Sequence, residues 1–208
     1  MAFNINNFLT NMTGDGYRPN LFTVEFTFPL ALTNLTATRN VSFKAKATSI
    51  PSSDIGVASV YFYGREVKFA GNREFAPWQI TLIMDEPDFN KNTGVRGKFE
   101  YWSSLLNSHY TNVRSSGARS PSEYYGSAIV KPLSKVGRTK IFGATDIVFG
   151  AVPEESGTKL EEYSMIGCYP TDVGEIKLDW QDNNRIAEFT VTFEYQYWLN
   201  TAELAAVI

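Results

Sequence analysis

The sequence predicts a mainly β protein, an antiparallel barrel or sandwich with one main α-helix, on three observations. Apolar and polar residues alternate over several short runs, the period of a strand with one buried face. One stretch alone, roughly residues 93–107, is well patterned as an α-helix. Proline, glycine, asparagine and aspartate punctuate the runs and supply turns. The 208 residues suit a single domain spanning 1–208, and a hydrophobic content of 43% is enough for a core.

Taken in order, Ile5, Phe8, Leu9 and Met12 recur at helical spacing and stop at Gly14-Asp15-Gly16. This predicts a short N-terminal helix whose apolar stripe needs a groove, on its own domain or a neighbour. Phe22, Val24, Phe26 and Phe28 against Thr23, Glu25 and Thr27 predict a first strand, ended by Pro29. Val41, Phe43, Ala45 and Ala47 against Ser42, Lys44, Lys46 and Thr48 predict a second, broken at Pro51. Val57–Phe69 predicts a hairpin with its turn at Gly64-Arg65. Tyr61 and Tyr63 share one face of it, Val60 and Phe62 the other, so both faces are partly apolar. Such a hairpin is sandwiched in a core or covered by another subunit. Trp78, Ile80, Leu82 and Met84 continue the strand pattern.

Val95, Phe99, Trp102 and Leu106 then fall on one face of the helix. Residues 110–126 read as an exposed loop, Ser127–Val130 as a strand, Lys131–Lys140 as a basic connection and Lys140–Val152 as a further strand region. Glu154–Glu162 is acidic. The best-patterned part is Tyr169–Trp198, which reads as a long hairpin. Ile176, Leu178 and Trp180 mark its first arm, Gln181–Asn184 its turn, and Phe189, Val191, Phe193, Tyr195 and Tyr197 its second. The second arm is the longer, so its far end must pair with another strand or a neighbouring subunit.

Catalytic and metal chemistry finds no candidate set, and no cofactor is expected. His109 is the single histidine, there is no GxSxG motif, and no Cys/His group has metal spacing. Asp85, Glu86 and Asp88 could form a carboxylate pair. Flanking Pro87 just ahead of a helix, they fit better as acids at its positive end. Cys168 is the single cysteine, so no internal disulfide can form, and a small buried apolar role fits it. A net charge of −3 argues against stable nucleic-acid binding. No apolar run is long enough to span a membrane, and the first residues lack a secretory signal pattern. A binding or structural protein is the expectation, not an enzyme.

The closing stretch carries a resemblance. Pro170, Thr171, Val173, Gly174, Glu175, Leu178, Asp179, Trp180, Asn183, Asn184, Ile186, Phe189, Val191, Thr192, Tyr197 and Trp198 resemble the final hairpin of the tail tube proteins of T-even-type contractile-tailed bacteriophages. Arg18-Pro19-Asn20-Leu21-Phe22, Lys46-Ala47-Thr48, Ala70-Gly71-Asn72-Arg73, Met84-Asp85-Glu86 and Ser127–Val130 are similar to that family in the same order. Residues 131–165 look expanded, and 199–208 form a C-terminal extension.

The resemblance implies stacked hexameric rings whose sheets join between subunits. They would form the inner tube of a virion tail, assembled in the host cytoplasm. It implies as partners other copies of the chain, a tail sheath protein, and baseplate and tail terminator proteins. Double-stranded DNA would pass through in transit. Ile5, Phe8, Leu9, Val60, Tyr61, Phe62, Tyr63 and Arg65 are the candidate subunit or ring contacts. A tube-initiator paralogue and the tube of a phage-derived injection device remain open alternatives. A β-sandwich carbohydrate-binding module is a distant one, opposed by Trp78, Trp102, Trp180 and Trp198, whose apolar-periodic positions predict a core.

Overall fold

A computed structural model describes residues 5–12, 16–32, 38–90, 94–134, 160–181 and 183–201. The expected strand at Lys140–Val152, most of the basic and acidic connection, and the last seven residues lie outside that set. The chain runs α1 (Ile5–Asn11), β1 (Phe22–Thr27), α2 (Thr38–Lys44), β2 (Ala45–Thr48), β3 (Ser53–Phe62), β4 (Arg65–Phe75), β5 (Trp78–Ile83), α3 (Val95–Leu106), α4 (Pro121–Tyr124), β6 (Gly126–Pro132), β7 (Tyr163–Val173), β8 (Glu188–Glu194) and β9 (Tyr197–Asn200).

Seven strands form one antiparallel sheet in the order β1-β6-β7-β8-β5-β2, with β9 also on β7. The long β7 holds it together. Its first half, Tyr163–Cys168, pairs with β6, while Tyr163–Ile166 also takes β9 on the opposite edge. Its second half, Tyr169–Val173, pairs with β8. The register shifts at Gly167, whose φ is +70°. The sheet folds across this strand so that its two wings face each other. Rings from both wings meet: Phe26 of β1 lies 5.3 Å from Phe193 of β8 and 5.7 Å from Trp78 of β5.

Helix α3 closes the open side. Val95, Phe99, Trp102 and Leu105 recur on one face and all are buried. Phe99 meets Phe26 at 5.7 Å and Phe193 at 5.5 Å. Each such side chain contributes roughly 1.5–3 kcal/mol by leaving water. Trp102 also donates its indole N–H to the Tyr124 carbonyl at 2.9 Å, so its polar atom is not buried unpaired.

Asp88 anchors the start of the helix. Fully buried, its Oδ1 accepts the Val95 N–H at 2.9 Å and the Lys44 ammonium at 2.6 Å. Its Oδ2 accepts the Asp85 N–H at 2.9 Å, and Lys44 also reaches Asp85 at 2.7 Å. The expectation of acids serving the helix's positive end therefore holds, with a lysine added. Burial by itself would push the Asp88 carboxyl up. The Lys44 ammonium and the two N–H groups outweigh it and hold the group below the ordinary carboxylate value.

Three expected elements differ. Residues 38–44 are helical, not strand; only Ala45–Thr48 pair, with β5. A two-residue alternation too short to fix a period let Val41 and Phe43 look like one face. In the helix Val41 points into the core and Phe43 is 89% exposed. The first arm of the closing hairpin is β7, not Glu175–Trp180. Gly174 still donates to Thr190 at 2.7 Å, but its own carbonyl is taken by the Arg96 guanidinium at 2.8 Å, and the ladder stops. Residues 174–187 then form a long connection. The loop 110–126 contains the one-turn α4, and its Ala118 is buried.

The second arm fares differently. Phe189, Val191, Phe193 and Tyr195 are buried as expected. Its far end becomes β9, which pairs with the first half of β7, so the partner strand is in the same chain.

Candidate assembly surfaces

The residues singled out from the sequence lie on two projecting elements. Strands β3 and β4 pair with each other and, among the described residues, with no other strand. They are joined at Tyr63-Gly64, one residue earlier than expected. Both have positive φ, 46° and 75°, the two-residue turn whose twist matches an antiparallel ladder. A ten-residue arm reaches roughly 33 Å at about 3.3 Å per residue.

The register decides what each face carries. Val60 stands opposite Val67, Ala58 opposite Phe69 and Phe62 opposite Arg65, so one face is a nearly continuous apolar strip with a guanidinium at its tip. Tyr61 pairs with Glu66 and Ser59 with Lys68 on the other. There the Ser59 hydroxyl donates to Glu66 at 2.6 Å, and Lys68 lies 4.0 Å from the same carboxylate. The hairpin is thus apolar on one side and mixed on the other. Val60, Phe62, Val67 and Phe69 are all more than a third exposed, and Tyr63 at the turn is 93% exposed. Isolated two-stranded hairpins are marginal in water, and a long apolar edge invites another chain.

Five of the expected contact residues, Val60, Tyr61, Phe62, Tyr63 and Arg65, are therefore gathered on the hairpin, with Tyr61 on the face away from Val60 and Phe62. Ile5, Phe8 and Leu9 sit on α1 and are all mostly exposed, a stripe that no helix or sheet face covers among the described residues. Among the described residues the sheet adds further unpaired surface, because β1 and β2 at the two ends of the strand order, and β9 beside β7, each keep one edge that no strand takes.

Two exposed apolar features escaped sequence reasoning. Phe43 projects from α2 beside a groove of about 660 Å³ lined by Thr23, Thr27, Ser42 and Ile129. In the connection 174–187, Leu178, Ile186 and Trp180 stand out from the surface, Trp180 being 99% exposed. The strand-like period of 176–180 was the only signal, and it pointed to the core. Trp78 and Trp102 are buried and Trp198 half-buried, as their periodicity predicts; Trp180 is not.

The remaining polar chemistry is structural. Lys131, expected in a solvated connection, is buried at the end of β6 and pairs with Glu25 at 2.7 Å and Glu162 at 3.7 Å. Burial pushes the Cys168 thiol up to about 12, which leaves it a small apolar group. Among the described residues no three His, Cys, Asp or Glu side chains gather where they could hold a metal ion, and no helix is long and apolar enough to cross a membrane.

A folded-over sheet plugged by one helix, with an apolar hairpin thrown out from its body, is a fold that recurs among chains of solved contractile injection machines. A chain in the structure of the anti-feeding prophage baseplate matches with a TM-score of 0.56 at 11% identity, covering 89% of this chain and 95% of that one. A chain in the sheath–tube complex of an extracellular contractile injection system matches at 0.51 and 11% identity, covering 96% and 99%.

The sequence itself is more specific. Residues 17–201 match the family model described as phage tail tube protein. The tail tube protein gp19 of Enterobacteria phage T4 is 31% identical over 186 residues, 89% of this chain and 93% of that protein. A tail tube protein of Serratia phage KSP90 is 25% identical, covering 92% and 93%. The chain belongs to the phage tail tube protein family. It is a structural component of a virion tail and not an enzyme.

Proposed function

We propose that the chain closes into hexameric rings and that these stack into the inner tube of a contractile tail, through which double-stranded DNA passes. The tube lies inside a sheath and ends at a baseplate and a terminator. The observation that carries this reading is the hairpin. An arm of roughly 33 Å with one apolar face is not stable in water alone and needs a second copy to cover it. The free edges of β1 and β2 need covering for the same reason. A contact that joins two different patches of one chain is heterologous, and it closes into a ring when the rotation fits. The modest net charge of −3 suits a conduit, since a basic wall would hold DNA by its phosphates. The α1 stripe of Ile5, Phe8 and Leu9 is a second contact on the same logic.

The test is electron microscopy of the purified chain beside Val60→Ser/Phe62→Ser. Hollow six-fold rings or tubes from the parent are expected, and a folded monomer with unchanged circular dichroism from the variant. A variant that loses its fold would place these side chains in their own domain's core and remove them from any contact.

A further inference from the structure

The hairpin leaves the body at one end of β8 and the connection bearing Trp180 leaves it at the other. β4 ends at Phe75, whose ring lies 5.9 Å from Tyr195, just beyond the last residue of β8. Trp78, directly after the hairpin, pairs with Phe193 near that same end. The connection 174–187 delivers the chain to Glu188 at the opposite end, where Ile83 is its partner and the Ala187 carbonyl accepts the Met84 N–H at 2.9 Å. Seven residues of strand set the two ends roughly 23 Å apart. The two surfaces thus sit at the two ends of one strand.

We infer that the apolar face of the β3–β4 hairpin of one copy seats on the Leu178–Trp180–Ile186 surface of a second copy, joining them head to tail. The inference rests on the ring-and-tube reading and names the receiving surface within it. Area supports it. Leu178, Trp180 and Ile186 are 86%, 99% and 65% exposed. Val60, Phe62, Val67 and Phe69 are 56%, 67%, 39% and 57% exposed. With an aromatic side chain worth about 150–250 Å² and the aliphatic ones somewhat less, the two patches together hold on the order of 900 Å² of apolar surface. A standard interface of about 1,600 Å² that is somewhat over half non-polar needs about that much.

Shape and charge agree. The connection forms a cleft of about 480 Å³ lined by Leu178, Trp180 and Ile186 together with the acids Glu175 and Asp179 and the bases Lys177 and Arg185. Arg65 shares the hairpin's apolar face at its tip, opposite Phe62, and makes no ion pair among the described residues. Seated on the cleft, it has Glu175 and Asp179 within reach. The Phe43 groove is the rival receiver, but it offers one large exposed apolar side chain where the Trp180 surface offers three.

The experiment uses the full chain in three forms: parent, Trp180→Ser and Val60→Ser/Phe62→Ser. Sedimentation velocity across a concentration series reads assembly, and tryptophan emission reads burial. On assembly the parent's emission should shift to the blue, because Trp180 is the fully exposed tryptophan. Trp180→Ser should keep the parent's circular dichroism and need at least about thirtyfold more protein to assemble, the loss of one interface hot spot. An equimolar mixture of the two variants is decisive. Each keeps one intact half of the joint, so dimers should form and stop there. Trp180→Ser chains that assemble like the parent would overturn the pairing and leave the ring reading standing. So would a mixture that stays monomeric. A parent that never assembles under these conditions would overturn the ring reading, and the pairing with it.

Discussion

Removing the Asp88 carboxylate should cost the fold about 2–4 kcal/mol. The group is fully buried and does three jobs at once. It accepts the first N–H of α3 at Val95, accepts the Asp85 N–H, and neutralises Lys44. Loss of a helix cap alone costs about 0.5–2 kcal/mol. Breaking a buried ion pair from one side costs about 3–5 kcal/mol. The second figure must be reduced here, because the Lys44 side chain keeps 16% exposure and retains Asp85 at 2.7 Å. For a chain of this size about 2–4 kcal/mol lowers Tm by roughly 5–15 °C.

Asp88→Asn keeps an acceptor for Val95 and should cost less than Asp88→Ala. Lys44→Met leaves the carboxylate two N–H donors and no cation. Urea titrations of Asp88→Asn, Lys44→Met and the double variant close a cycle whose coupling should be about 1–3 kcal/mol. The pH dependence follows from the direction of the shift. The folded Asp88 carboxyl is held below the ordinary aspartate value of 3.8, so its contribution is complete above about pH 4 and is lost as pH falls through the folded value. Lys44→Met removes much of the depression, so acid unfolding should begin at higher pH. Lys44 works at the other end. Burial alone would lower it, but Asp85 and Asp88 raise it above the ordinary lysine value of 10.5, so its contribution is complete below that pH and is lost as pH climbs through the folded value. Additive single variants, or an Asp88→Ala change within about 0.5 kcal/mol of the parent, would refute the reasoning, since surface substitutions alone cost that little.

Two further outcomes are expected. Gly126→Ala would place a methyl carbon 2.7 Å from both the Thr27 carbonyl oxygen and the Trp102 ring, and should destabilise by about 1–3 kcal/mol through overpacking, read by thermal melts. Among the described residues the buried Tyr195 hydroxyl has no hydrogen-bond partner, so Tyr195→Phe should be neutral or stabilising by up to about 1 kcal/mol; a clear loss of Tm would show that the hydroxyl is bonded after all.

How much was legible in the sequence depended on whether burial was decided locally. Strands β1, β5 and β8 and helix α3 were readable because each has a solvent side and a core side. Phe22–Thr27 alternates, Phe189–Phe193 alternates, and Val95, Phe99 and Trp102 recur every three to four residues, and the structure buries the apolar residues of each except Phe22, which is half-buried at the strand end. The hairpin was readable too, but whether its apolar residues enter their own core or stand out from the body was not, because the pattern of 57–69 fits both. The family followed from motif residues in order along the chain, which needs no coordinates.

Tertiary structure alone decided the rest. Glu175–Trp180 has the period of a strand, yet periodicity cannot say whether a neighbouring strand is present. Here Arg96 captures the Gly174 carbonyl and leaves Trp180 in water. Val41–Lys44 looked like the start of a strand until Lys44 was drawn to Asp85 and Asp88, partners about forty positions along the chain. Register assigned Val60, Phe62, Val67 and Phe69 to one hairpin face and sent Glu66 and Lys68 to the other. The length of β8 then set the hairpin and the Trp180 surface at opposite ends of the body, a separation that the linear order of residues does not contain. The sequence by itself determined which residues need burial, because that depends on side-chain chemistry. Which of them find it within one copy depends on the path of the chain through space.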